Sequence, residues 1–354
     1  MKILTAFIMV VLAFTGLTAS QFSKASTYEL PTDGSSVVGA VQIVAPGKES
    51  TLVDIARHFD LGYHEITWAN PDVDVWYPGV HVNVVVPTEF ILPPKPWKGV
   101  VVNISARRLF YFLPAKKGKP KKVITLPISI AREGWSTPLG KTRITGKHRD
   151  PGWFVPESIR REHAANGDTN FPKYVPPGPN NPMGMLAVQT GFDGIFIHGT
   201  NRPWGVGMRT SHGCLHLYPE DASTFFAAIP VDTSVRMIDQ PLVVGKQAGR
   251  LVMTSYEPVT EYGAKIDMFS RAVMALNPYL YESNVDLYGE NLIYDVDWAK
   301  VRQLTAGPQV VPVDITIGGA VLEDKLAKID VDLYNWPPYD VGANDARPPG
   351  EAID

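Results

Sequence analysis

Hydrophobic positions change their spacing along the chain, and each change predicts an element. Lys2 is followed by a nearly unbroken apolar run to Leu17 and then the small residues Ala19 and Ser20, the pattern of a secretory signal over residues 1–20. The run falls short of the roughly 20 apolar residues that a membrane-spanning helix needs, so no membrane insertion is expected after cleavage. Val41–Val44 reads as a strand and Pro46-Gly47 as a turn. Leu52, Ile55, Ala56 and Phe59 then recur at helical spacing, behind Ser50 or Thr51 as cap. Gly62 ends that helix, a second short helix carries Ile66 and Ala69, Asn70-Pro71 stops it, and Val80, Val82, Val84 and Val86 alternate as a closing strand. A small α+β module over residues 40–88 is therefore expected.

Pro93-Pro94-Lys95-Pro96 reads as a stiff linker. Beyond it Val100, Val102 and Ile104 alternate, and apolar runs follow at Leu109–Phe112 and Val123–Ile130, as in antiparallel strands. The proline-rich stretch Pro151–Pro182 lacks the periodicity of core and reads either as a lid or as a surface loop. Ile195–Ile197 and Leu215–Leu217 are short strand-like runs, and a helical pattern follows Tyr218-Pro219. These elements compose a mainly β domain over residues 97–240. Short strands at Leu242–Val244 and Leu251–Thr254, with a helix around Met268–Leu276, form a small α/β extension over 241–334. Residues 335–354, rich in proline and polar groups, read as a disordered tail.

Composition narrows the function. With 33 basic and 36 acidic residues and no basic run, there is no electrostatic case for nucleic acid or an anionic membrane. Export would place the chain where disulfides form, yet Cys214 is its single cysteine and has no internal partner. Its thiol must be kept free for use.

Cys214 lies at the end of the segment that begins with Ile195. His198 and His212 are candidate bases for activating it, and His198, arriving from a different strand, is the better placed. The Gly213 and Cys214 amides are candidate oxyanion donors, because glycine lets the backbone turn its N–H groups toward developing charge. Arg209 is a candidate anchor for a substrate carboxylate. A buried structural cysteine is the bland alternative. A zinc site built from His198, His212, Cys214 and His216 lacks the usual ligand spacing, so no metal or other cofactor is expected.

His198 followed by a glycine-containing loop and Ser211-His212-Gly213-Cys214 resembles the signature of the L,D-transpeptidase (YkuD) family, and Thr137-Pro138-Leu139-Gly140 resembles a further segment of it. The resemblance implies a β-sandwich catalytic domain with Cys214 as nucleophile, His198 as proton acceptor and donor, and the Gly199 carbonyl orienting the imidazole. Ser211 and His212 would support the loop. His216 departs from the Arg or Asn of many relatives. The 40–88 module resembles a LysM domain, which implies binding to peptidoglycan glycan, and the whole arrangement resembles the Gram-negative periplasmic type with a carboxy-terminal extension. The implied reaction transfers the diaminopimelate acyl group of a tetrapeptide stem to an amine. That amine could belong to an outer-membrane lipoprotein lysine, a second stem or a free D-amino acid. An L,D-carboxypeptidase with the same site, and a non-enzymatic wall-binding protein, stand as alternatives.

Overall fold

Strands Gly99–Asn103, Arg108–Phe112 and Lys122–Pro127 form the antiparallel meander that the apolar runs predict. In the computed structural model, residues 26–262, 267–281, 284–285, 291–292 and 295–334 are described; the expected signal and tail lie outside them. The meander belongs to a mixed nine-stranded sheet. Its order is Thr27–Glu29, Lys122–Pro127, Arg108–Phe112, Gly99–Asn103, Ser234–Ile238, Gly140–Arg149, Leu186–Thr190, Phe196–His198 and Leu215–His216. The long strand Gly140–Arg149 pairs with Ser234–Ile238 through its first half and with Leu186–Thr190 through its second. Its register shifts between Ile144 and Gly146. A bulge of this kind bends a strand, and residues from both halves of the sheet, Val100, Val102 and Leu109 with Val188, Ile197 and Leu215, share one core. Helix Pro219–Ala228 closes this core with Phe225 and Phe226.

The meander strands are buried on both faces, which is why they read as nearly continuous apolar runs. Val100, Val102, Leu109 and Tyr111 enter the first core, whereas the alternating Val101, Phe110 and Phe112 enter a second. The 40–88 segment contributes Val44, Leu52, Ile55, Ile66, Val84 and Val86 to that second core. It folds as strand Gln42–Ala45, helix Leu52–His58, helix Tyr63–Ala69 and strand Val84–Val86, the two strands antiparallel. Thr51 and Asp54 cap the first helix reciprocally. The closing strand begins at Val84, later than its alternation suggests, because Gly79 turns the backbone at φ +83° and Val80 is exposed.

Pro93–Pro96 does not span open solvent. Arg236 Nη2 donates to the Pro94 carbonyl at 2.7 Å, and Trp97 stacks on Phe112. Polar contacts fix the module on the sheet: Arg57 makes two bonds to Glu220, at 2.8 and 3.0 Å, and Tyr218 Oη donates to the Leu61 carbonyl. The module is thus packed onto the β domain, and the segment expected as a stiff linker lies against it. Beyond residue 240, Leu242–Gln247, Arg250–Ser255 and Gln309–Asp314 form a small sheet backed by helix Met268–Tyr281. The chain then returns to the module, where Val331–Leu333 pairs in parallel with Gln42–Ala45 and Tyr334 is buried in the second core.

Candidate active site

Ile197 and Leu215 are partners in a parallel strand pair, as are His198 and His216. Because side chains alternate along a strand, Ile197 and Leu215 point into the core and His198 and His216 to the opposite face, with Cys214 directly before Leu215. The His198 ring is buried, and its Nδ1 lies 2.6 Å from the Gly199 carbonyl. With Nδ1 bearing the proton donated there, Nε2 is left as the basic nitrogen. His216 stands against His198 at 4.7 Å between ring centroids.

Burial sets the resting protonation of this face. It lowers His198 to about 4, against smaller opposing contributions from the Gly199 and Met183 carbonyls, and it pushes the Cys214 thiol up to about 11. His216 is also held well below its ordinary value, first by burial and then by the neighbouring imidazoles. The site at rest is therefore a neutral thiol beside neutral imidazoles. Among the described residues, no group of three or more His, Cys, Asp or Glu side chains is placed to hold a metal ion.

The loop before Cys214 is tied down on every side. Ser211 Oγ donates to the Cys214 carbonyl at 2.6 Å and accepts the Gly213 N–H at 3.1 Å. Gly213 has φ +127°, and a Cβ there would lie 3.1 Å from Ile195 Cδ1, so glycine is required for both angle and space. The fully buried Thr137 donates its hydroxyl to the Gly213 carbonyl at 2.8 Å. His212 faces outward, with Nε2 3.0 Å from Glu162 and 2.8 Å from Arg132, under the edge of Trp135.

Glu162 comes from the Pro151–Pro182 insertion, which holds a short strand pair, Trp153–Phe154 with Tyr174–Val175, around helix Glu157–Ala165. Of the two sequence readings, the structure favours a segment clasped to the site. Asn181 anchors its end: Nδ2 donates to the Pro151 and Pro176 carbonyls and Oδ1 accepts the Met183 N–H at 2.9 Å. Met183 is thereby held beside His198. Gly184 packs onto Gly199, where a Cβ would lie 3.0 Å from the Gly199 carbonyl carbon.

Arg209, the expected substrate anchor, has protein partners of its own. Its guanidinium is ion-paired with Glu261 and donates to the Ala131 carbonyl, so it braces the loop from within. Glu162, Arg132, Glu261 and Tyr262 carry no signal in the sequence, since each is an isolated polar residue far along the chain from the segment it touches.

Comparison with known proteins gives the site its context. Residues 98–237 match the L,D-transpeptidase catalytic domain model, YkuD. The "Probable L,D-transpeptidase ErfK/SrfK" of Salmonella typhimurium is 34% identical over 306 residues, covering 85% of this chain and 95% of that protein. The chain belongs to the L,D-transpeptidase family. It is accordingly an enzyme of this kind. The "Probable L,D-transpeptidase YbiS" of Escherichia coli K12 is 38% identical over 223 residues, covering 62% of this chain and 71% of that one. Among solved structures, L,D-transpeptidase 3 from Mycobacterium tuberculosis aligns with 44% of this chain and 67% of its own, at 18% identity and a TM-score of 0.29. The matched transpeptidase segment starts and ends at strands that lie side by side, with Val100 paired to Val235 and Val102 to Met237. All of His198 to Cys214 falls inside it, whereas Tyr262 and Glu261 lie beyond its end.

Proposed function

We propose that the enzyme is exported to the periplasm, where it transfers the diaminopimelate acyl group of a peptidoglycan tetrapeptide stem to an amine through a thioester on Cys214. The observation that carries this reading is that Cys214 directly precedes Leu215–His216, the strand paired in parallel with Phe196–His198, while His198 Nδ1 is held by the Gly199 carbonyl. His198 Nε2 accepts the thiol proton as sulfur attacks the stem carbonyl. Because burial keeps both groups neutral at rest, proton transfer accompanies attack and does not precede it. The Cys214 amide receives the oxyanion, the Gly213 N–H expected to share it being held by Ser211 Oγ at 3.1 Å. Collapse breaks the bond to the terminal D-alanine, whose amine leaves with the proton from His198. An acceptor amine then attacks the thioester, and its proton returns through His198 to the sulfur.

Three further features belong to this reading. The βααβ module would hold the glycan strand; Tyr77, 75% exposed beside Trp76, offers a ring on which a sugar face can stack. The segment clasped by Glu162 and Asn181 would limit water at the thioester and so favour an amine over hydrolysis. No helix among the described residues is long and apolar enough to cross a membrane.

Incubation with a disaccharide-tetrapeptide and an amine acceptor, followed by product analysis, tests the reading. A new amide with equimolar D-alanine supports transfer. D-alanine release with no amide product in the presence of a lipoprotein-derived lysine peptide, a second stem or a D-amino acid would instead make the enzyme a carboxypeptidase.

A further inference from the structure

The carboxy-terminal extension reaches the catalytic loop through one short turn. Strand Arg250–Ser255 leads to the 3₁₀ turn Thr260–Tyr262, whose last two side chains grip the two segments that converge on Cys214. The Glu261 carboxylate accepts the Gly134 N–H at 3.0 Å and pairs with Arg209, joining the loop after Ile130–Ala131 to strand Arg209–Ser211. Tyr262 Oη donates to the Thr137 carbonyl at 2.6 Å and accepts the Thr137 N–H at 3.0 Å. Thr137 is wholly buried, and its own hydroxyl donates to the Gly213 carbonyl at 2.8 Å. A continuous hydrogen-bonded line therefore runs from the extension to the peptide bond that precedes the nucleophile.

Planarity gives that line a chemical consequence. In a trans peptide the C=O of one residue and the N–H of the next point in opposite directions. Holding the Gly213 carbonyl against buried Thr137 therefore turns the Cys214 N–H the other way. Gly213 has φ +127°, a region open to glycine but costly for other residues, so its hydrogen bonds set the direction of this peptide: Ser211 Oγ holds the Gly213 N–H and the Cys214 carbonyl, and Thr137 holds the Gly213 carbonyl between them.

We propose that Tyr262 is a positioning residue for the transpeptidase reaction: acting through Thr137, it fixes the Gly213–Cys214 peptide so that the Cys214 amide is aimed at the developing oxyanion. The extension is thereby part of the catalytic apparatus. This inference rests on the reading of Cys214 as nucleophile and of its amide as an oxyanion donor. Burial raises the Tyr262 hydroxyl above its ordinary value, so the donor stays protonated through the neutral range. The ring packs against the main core, and Tyr262→Phe removes the hydroxyl while keeping that packing.

The test uses the full-length enzyme and its Tyr262→Phe, Thr137→Val, Thr137→Ser and Cys214→Ala variants. Two rates are compared: acylation by a disaccharide-tetrapeptide in a single turnover, followed by intact mass, and alkylation of Cys214 by iodoacetamide. Alkylation displaces iodide at a saturated carbon and builds no oxyanion. Removing one oxyanion donor outright typically slows an enzyme by about 100- to 1,000-fold, so misaiming one should slow acylation by about 10- to 100-fold. The expected result is that Tyr262→Phe and Thr137→Val show this loss with KM within about two-fold and alkylation unchanged, and that Thr137→Ser restores the rate. Unchanged acylation in Tyr262→Phe would overturn the proposal. So would parallel loss of acylation and alkylation with no rescue by serine, which would mark a purely structural role. Full activity in Cys214→Ala would instead overturn the underlying assignment of the nucleophile, whatever Tyr262 does.

Discussion

Arg108 grips Glu65 with two parallel bonds, Nε to Oε1 and Nη2 to Oε2, each 2.6 Å long, between side chains only 2% and 7% exposed. One partner is a central strand residue of the β domain and the other lies on the second module helix. The same guanidinium also donates to the Asp60 carbonyl and to Thr125, so every direction of its fork is used. A buried pair of this kind contributes little over an apolar substitute, but breaking it from one side strands a charge. Glu65→Gln is expected to cost about 3–5 kcal/mol. Because module and sheet share a core, unfolding in urea should remain one transition at a lower midpoint. A separate early transition, with the main one unmoved, would show an independently folded module.

The two units also meet backbone on backbone. Gly207 has φ +91°, and a Cβ added there would lie 2.4 Å from the Tyr63 amide nitrogen and 2.5 Å from Gly62 Cα, while Tyr63 N–H donates to the neighbouring Val206 carbonyl. Gly207→Val therefore combines backbone strain with overpacking and is expected to destabilise by about 2–4 kcal/mol. Calorimetry on the variant should show a clearly lower Tm, and an unchanged Tm would mean that the seam yields freely.

Asn181 fastens the end of the insertion that carries Met183 to His198. Asn181→Ala takes this partner from the Pro151 and Pro176 carbonyls and leaves the buried Met183 N–H unpaired, at a cost of about 1–3 kcal/mol. The accompanying expectation is a raised ratio of hydrolysis to transfer, since the clasped segment then opens more often to water. Quantifying free acid against amide product reads this directly, and an unchanged ratio would remove the insertion from the account of water exclusion.

The pH response follows from two displaced groups. Catalysis needs neutral His198, which burial holds near 4, so kcat/KM should persist as pH falls through 6.5 and decline only as pH approaches about 4. Alkylation by iodoacetamide needs the thiolate. With burial raising Cys214 to about 11, the rate should climb about tenfold per pH unit from neutrality and level only near that value. A plateau already present at neutral pH would mean that thiolate and imidazolium coexist at rest.

Much of this arrangement is visible in the order of residues. The alternation of Val100, Val102 and Ile104 and the runs at Leu109–Phe112 and Val123–Ile130 mark strands whose period survives burial on both faces. His198 and Ser211–Cys214 are legible because they lie close in the chain, between and at the ends of two adjacent strands. The contacts that organise the site around them are not local. Glu65 meets Arg108, Glu162 meets His212 and Tyr262 meets Thr137 across separations of 43, 50 and 125 residues, and one polar residue at each end of such a gap leaves no periodic trace. Arg209 illustrates the converse. An arginine beside a thiol suggests an anion anchor, and only the tertiary fold brings Glu261 to neutralise it.

The central claim is that Cys214 carries the acyl group. Intact-mass measurement of the reduced, mature enzyme after brief exposure to a disaccharide-tetrapeptide, beside Cys214→Ala, tests it most directly. The account predicts an adduct equal to the stem less D-alanine on the wild type only, discharged when an amine is added. Turnover with no adduct dependent on Cys214, or full turnover by Cys214→Ala, would contradict it.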